Sequence, residues 1–124
     1  MILPIVIILQ LTILNEALSQ SDIARGKKVF NKCKACHSLK KAKHKIGPSL
    51  YGLLGRKAGS ETGYKRYKGL KGADWVWTEN ELMEYLADPK KYVKRKTGKR
   101  SSMILKLKKE RDRTNVIGYL KSIK

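Results

Sequence analysis

Two cysteines and a histidine stand together in KCKACHSLK, residues 32–40. Cys33 and Cys36 are three apart, His37 follows at once, and the chain has no other cysteine. Three chemistries use such residues. A redox dithiol would need a βαβ context, and none is visible. A zinc site would need a second pair of ligands, and only His44 remains. C-x-x-C-H is also the attachment signature of c-type haem. Two thiols add across the porphyrin's two vinyl groups, and the adjacent imidazole comes to lie under the iron. The spacing therefore assigns Cys33 and Cys36 as covalent anchors of one haem and His37 as its proximal ligand.

The iron's other axial ligand must come from elsewhere. Met83, Met103 and His44 are the candidates. Met83 falls in the apolar stripe of a helix and reads as core. His44 is only seven residues past His37 and would have to cross the porphyrin edge in a short span. Met103 lies far enough along the chain to wrap to the other face, so it is the assignment. A thioether opposite an imidazole favours Fe(II) and raises the potential. It also leaves no open position for a substrate, which points away from catalysis and toward electron transfer.

The elements that must position these residues are few. SDIARGKKVFNKC reads as a helix capped by Ser21 or Asp22, with Ile23, Gly26, Val29 and Phe30 on one face. Gly26 in mid-helix marks a place where another helix crosses too closely for a Cβ. Leu39 to Gly72 reads as loop, long for a structureless connection. TENELMEYLADP is the clearest helix: Thr78 and Glu81 form a capping box, and Pro89 ends it. KKYVKRKTGKRSSM reads as a basic loop, and ERDRTNVIGYLKSIK as a last helix. Three helices, long glycine-rich loops and a single Phe make a thin core for a domain this size. A large bound apolar group would fill it.

The first stretch differs from the rest. MILPIVIILQLTIL has only Gln10 and Thr12 as polar residues. It is shorter than the ~20 residues a spanning helix needs, and Ala17 and Ser19 follow in a small-x-small cleavage pattern. Residues 1–19 are expected to be a cleaved export signal and 20–124 the domain. Retention of residues 1–14 as an anchor on the periplasmic face of the inner membrane is the alternative.

Charge is far from balanced, with 29 Lys and Arg against 10 Asp and Glu, a net +19. Such a field recruits anionic partners. Twelve Lys or Arg and two acids lie between Lys90 and Arg113. The plain reading is a solvated face; the functional one is a basic rim that steers acidic redox partners. By position Lys27, Lys28, Lys32, Lys90, Lys91 and Lys106 belong to that rim. No specific nucleic-acid role is expected.

The chain resembles the class I c-type cytochromes, most closely the cytochrome c2 and mitochondrial-type cytochrome c group. The resemblance runs from about Asp22 to Lys121 and is carried by GKKVFNKCKACH, HKIGPSLYGLLGRKAG, WTENELMEYLADPKKY, MILKLKKE and IGYLKS in that order. It implies an all-α fold of three main helices and long loops wrapped around one covalently bound haem. It further implies that Gly26 and Phe30 pack against Tyr119, and that the Pro48 carbonyl accepts the proton of the free His37 ring nitrogen. Arg56, Trp77 and Tyr67 would lie near one haem propionate, Ser101 near the other, and Tyr85 beside the Met103 sulfur. The implied role is that of a monomeric, non-enzymatic carrier. It would take electrons from a cytochrome bc1-type complex to cytochrome c oxidase or another periplasmic acceptor, meeting membranes only through those complexes. Two departures stand out: VKRKTGKRSS replaces a shorter proline-containing loop, and GYKRYKGLKG matches the family pattern least.

Overall fold

The computed structural model describes residues 22–124. The expected export signal and the Ser21 cap lie outside the described residues. Helix α1 spans residues 22–30, α2 Glu79–Ala87, α3 Pro89–Thr97 and α4 Glu110–Lys121. No strand occurs among the described residues. Among the described residues the fold is all-α, as the sequence implies, but with four helices where three were read.

The helix ends follow local chemistry. In α2 the Thr78 hydroxyl accepts from the Glu81 N–H at 3.1 Å, which satisfies one of the free donors of the first turn. Leu82, Tyr85 and Leu86 form its buried face. The reading of 90–103 as a basic loop is corrected, since α3 covers most of it. Asp88 accepts from the Lys91 N–H at 3.1 Å and Pro89 takes the first helical position, where its missing N–H costs nothing. Lys94, Arg95 and Lys96 complement the C-terminal dipole, and Gly98 closes the helix in a left-handed conformation, φ 72°. Only Pro89, Tyr92 and Val93 are buried, so the apolar stripe is narrow. Pro89 thus ends one helix and begins the next.

α1 and α4 cross at Gly26. A Cβ there would stand 2.0 Å from the Asn115 carbonyl oxygen and 2.7 Å from Tyr119 Cβ. Phe30 meets Tyr119 with ring centroids 5.7 Å apart. α2 packs on both α3 and α4. The long stretch from Leu39 to Gly72 is a series of turns. It is tied to Trp75 and Trp77 by backbone bonds: Ala58 N–H to Trp75 O at 2.8 Å, and reciprocal Gly55–Trp77 and Trp77–Arg56 bonds at 2.8 and 2.9 Å. Leu53 and Ala58 bring it into the core beside Ala73 and Trp77.

Gly26→Ala is expected to lower stability by roughly 1–3 kcal/mol, the cost of overpacking a tight contact. Gly118→Ala, on the open side of α4 where nothing stands within 4 Å, should be neutral or stabilising by up to ~1 kcal/mol. Denaturant midpoints of the two variants check both.

Candidate functional site: an apolar cavity behind the cysteine–histidine turn

A cavity of about 280 Å³ lies among the turn that follows α1, helices α2 and α4, and the loops. Its near wall begins where α1 runs out. Backbone bonds from Cys36 N–H and His37 N–H to Cys33 O, at 3.1 and 3.0 Å, continue one helical turn. Residues i, i+3 and i+4 share a face of such a turn, so Cys33, Cys36 and His37 all reach the cavity. Cys33 is buried and Cys36 exposed, and they are not joined to one another. Burial pushes the Cys33 thiol above its ordinary pKa.

His37 is held in one orientation. Its Nδ1 lies 2.7 Å from the Pro48 carbonyl oxygen. A carbonyl only accepts, so Nδ1 carries the hydrogen and Nε2 is left with its lone pair, the form that binds a metal. Burial depresses the pKa of the ring, opposed by the Pro48 carbonyl, which keeps the imidazole neutral. Gly47 packs flat against it: a Cβ there would be 2.4 Å from His37 Cε1.

The other walls are mostly apolar. Leu53, Leu82, Leu86, Val116 and Leu120 supply them, and Met103 and Leu105 reach in from the segment between α3 and α4. Met83 packs on the core outside this lining. Trp77 and Tyr85 line the cavity with ring centroids 5.0 Å apart, and burial raises the Tyr85 phenol pKa, with the Ser101 hydroxyl opposing. Ser101 also lines it, donating to the Met103 carbonyl oxygen at 2.7 Å. Tyr67 is present too; its hydroxyl accepts from the Glu61 N–H at 3.3 Å. Ile46 and Ile104, 66% and 64% exposed, edge the cavity and leave apolar surface in contact with water.

This arrangement fits a covalently attached haem. The thiols, a neutral imidazole with a free Nε2, a thioether and an apolar surround share one cavity. His44 is directed elsewhere: its Nε2 contacts Thr62 O at 2.9 Å and its Nδ1 accepts from the Ser49 N–H at 3.1 Å.

Arg56 reaches the cavity, but its charge is met. Glu61 sits 2.5 Å away, and the guanidinium also donates to Tyr51 O and Ser49 O at 3.2 and 3.0 Å. Glu61 and Ser49 were missed by sequence reasoning. Their contacts are tertiary, and neither belongs to a periodic pattern. Of the expected rim lysines, all six are exposed. Lys32 lies at the cavity, Lys106 pairs with Asp88 at 3.3 Å, and the others make no ion pair among the described residues.

A family model described as cytochrome c matches residues 23–124. Cytochrome c-550 of Paracoccus pantotrophus is 40% identical over 116 residues, covering 82% of this chain and 85% of that protein. Cytochrome c2 of Rhodospirillum rubrum is 38% identical over 115 residues, covering 87% and 85%. The solved structure of cytochrome c2 from Rhodospirillum centenum superposes with a TM-score of 0.75 at 31% identity, covering 82% of this chain and 97% of that one.

Ser49 is fully buried. Its hydroxyl donates to Lys40 O at 2.7 Å and accepts from the Tyr51 N–H at 3.2 Å. Ser49→Ala removes both bonds and should cost roughly 1–3 kcal/mol, read as a lower midpoint of chemical unfolding.

Proposed function

This chain belongs to the cytochrome c family, and from that premise we propose how its residues hold its cofactor and whom it serves. It carries one covalently attached c-type haem and shuttles single electrons. Bound in the cavity, the haem supplies an Fe(III)/Fe(II) couple that changes by one electron without a bond to any substrate.

Cys33 and Cys36 are the thioether anchors. His37, kept in the right tautomer by Pro48, and Met103 would bind the haem iron. A metal-bound imidazole depends on such support from its second nitrogen. The leucine and valine walls exclude water, which stabilises the less charged, reduced iron. Trp77 and Tyr67 would lie near one haem carboxylate and Ser101 near the other, with Tyr85 beside the Met103 side chain. The observation that carries this reading is the 2.7 Å contact of His37 Nδ1 with Pro48 O, on the same apolar cavity that Met103 enters.

The electron donor is a cytochrome bc1-type complex and the acceptor a terminal oxidase or another periplasmic haem protein. Both are acidic at their docking faces, and the basic rim selects them. The carrier is an exported, soluble periplasmic monomer that turns over no substrate. No helix among the described residues is long and apolar enough to cross a membrane.

Purified native protein should have the mass of residues 20–124 plus one haem, and a visible spectrum of methionine-ligated haem in both oxidation states. Met103→Ala should lose that signature and bind cyanide far faster than wild type. A mass that includes residues 1–14 supports the anchored alternative; cyanide binding as fast in the wild type as in the variant defeats the Met103 assignment.

Reversing Lys90 and Lys91 to Glu should slow oxidation by an acidic acceptor several-fold at low salt, with the deficit shrinking as ionic strength screens the field. Equal rates at every salt concentration would remove these two lysines from the rim.

A further inference from the structure

The cavity has four cations on its lining, Lys32, Arg56, Arg66 and Lys68, and they are not equivalent. Arg56 is the most enclosed, its side chain 15% exposed. Three of its contacts are already taken, by the Glu61 carboxylate and by two backbone carbonyls. Glu61 is itself only 16% exposed, so the pair is close to neutral and well shielded from water. A bound carboxylate beside it would meet Glu61's charge along with that of Arg56.

Arg66 differs in each respect. It is exposed, lines the same cavity, and makes no hydrogen bond or ion pair among the described residues. The tyrosines on either side of it are held in place. Tyr64 and Tyr67 flank it with rings edge to face, centroids 4.8 Å apart. The Tyr64 hydroxyl donates to Ile46 O at 2.6 Å, and the Tyr64 N–H donates to Glu61 O at 3.2 Å. The planar guanidinium suits a carboxylate by two parallel hydrogen bonds, which an ammonium such as Lys68 cannot reproduce.

We propose that Arg66, an otherwise unpaired arginine at the cavity edge, is the cation that binds a haem carboxylate, and that Arg56 with Glu61 is a neutral structural clamp. The proposal rests on the haem reading above and refines which residue meets the cofactor's charge. The Tyr67 hydroxyl, which accepts from the Glu61 N–H, keeps its own hydrogen to donate to the same carboxylate. Because Arg66 is at the surface, this pairing is exposed to solvent and salt. Proton binding at the carboxylate is therefore linked to the iron's oxidation state through a screened contact.

The test measures reduction potential against pH for wild type, Arg66→Gln, Arg66→Lys, Arg56→Gln, Glu61→Gln and the double variant Arg56→Gln/Glu61→Gln, all as holoprotein, with unfolding midpoints alongside. Losing its cation makes the carboxylate bind protons more tightly. Arg66→Gln should therefore show a proton-linked step in the potential moved to higher pH, about tenfold in proton affinity or one pH unit. Arg66→Lys should restore most of that shift. Arg56→Gln alone should lower the unfolding midpoint, because it strands Glu61, and the double variant, which removes the neutral pair together, should leave the step in place. Glu61→Gln, which frees Arg56, should move the step to lower pH. A step unmoved in Arg66→Gln, or one moved upward by the double variant, overturns the proposal and returns the role to Arg56. A wild-type protein without a haem spectrum would instead overturn the underlying haem reading.

Discussion

The backbone of α1 touches the backbone of α4 at Gly26, and the rest of the molecule is arranged around that contact. With no Cβ at this position the Asn115 carbonyl and the Tyr119 side chain come within reach. Phe30 then stacks at a tilt on Tyr119, and the turn after α1 points Cys33, Cys36 and His37 toward Val116 and Leu120 of α4. Two walls of the cavity are thus set by one helix crossing. α2 adds a third by lying on α4 with Leu82 and Leu86 inward. The loops between α1 and α2 need little core of their own, because they close over a large apolar guest.

Charge obeys a similar economy. The chain has only ten acidic residues, and six of them are engaged in ion pairs within the fold. Glu81 and Glu84 of α2 face Lys96 and Arg95 of α3 at 3.3 and 2.6 Å, and the Tyr92 hydroxyl also bonds Glu81. Burial and that carboxylate together raise the Tyr92 phenol pKa, while the Tyr92 hydroxyl lowers the Glu81 pKa. Exposed pairs of this kind contribute little individually, about 0–1 kcal/mol each. Their arrangement has a larger effect on the outside field. Acids are drawn onto the α2–α3 seam and beneath Arg56, so most surface lysines have no local counter-charge and act together at long range.

What could be read from the sequence was local. C-x-x-C-H states its chemistry within five residues, and Thr78 with Glu81 announces the start of α2. Gly26 was legible as a close crossing because glycine is costly in mid-helix and needs a reason. α3 was not legible as a helix. Its buried face is only Pro89, Tyr92 and Val93, its exterior is uniformly basic, and its start depends on Asp88 bonding Lys91, which a run of lysines conceals. Glu61 and Ser49 were hidden for another reason. Each acts through partners brought in by the fold, on a stretch with no repeating pattern. Arg56 was singled out by resemblance alone, and its ion pair with Glu61 changes what that position can do.

The segment that carries Met103 has few ties of its own. Between Arg100 and Lys106 no backbone N–H bonds another backbone group among the described residues. The stretch is anchored at one end by the Gly98 cap of α3 and at the other by Leu107 N–H on Leu86 O at 2.8 Å; Ser101 braces it once within, on Met103 O. A strap with so few internal bonds can lift without disturbing the helices at its ends, since local opening costs less where fewer contacts must break. The two sides of the cavity therefore differ in kind. The His37 side is hydrogen-bonded into its loop through Pro48, and the Met103 side has only the Ser101 brace and the two ends of the strap. Occupancy of the cavity and order of this strap become one equilibrium, in which the cofactor completes the fold that encloses it.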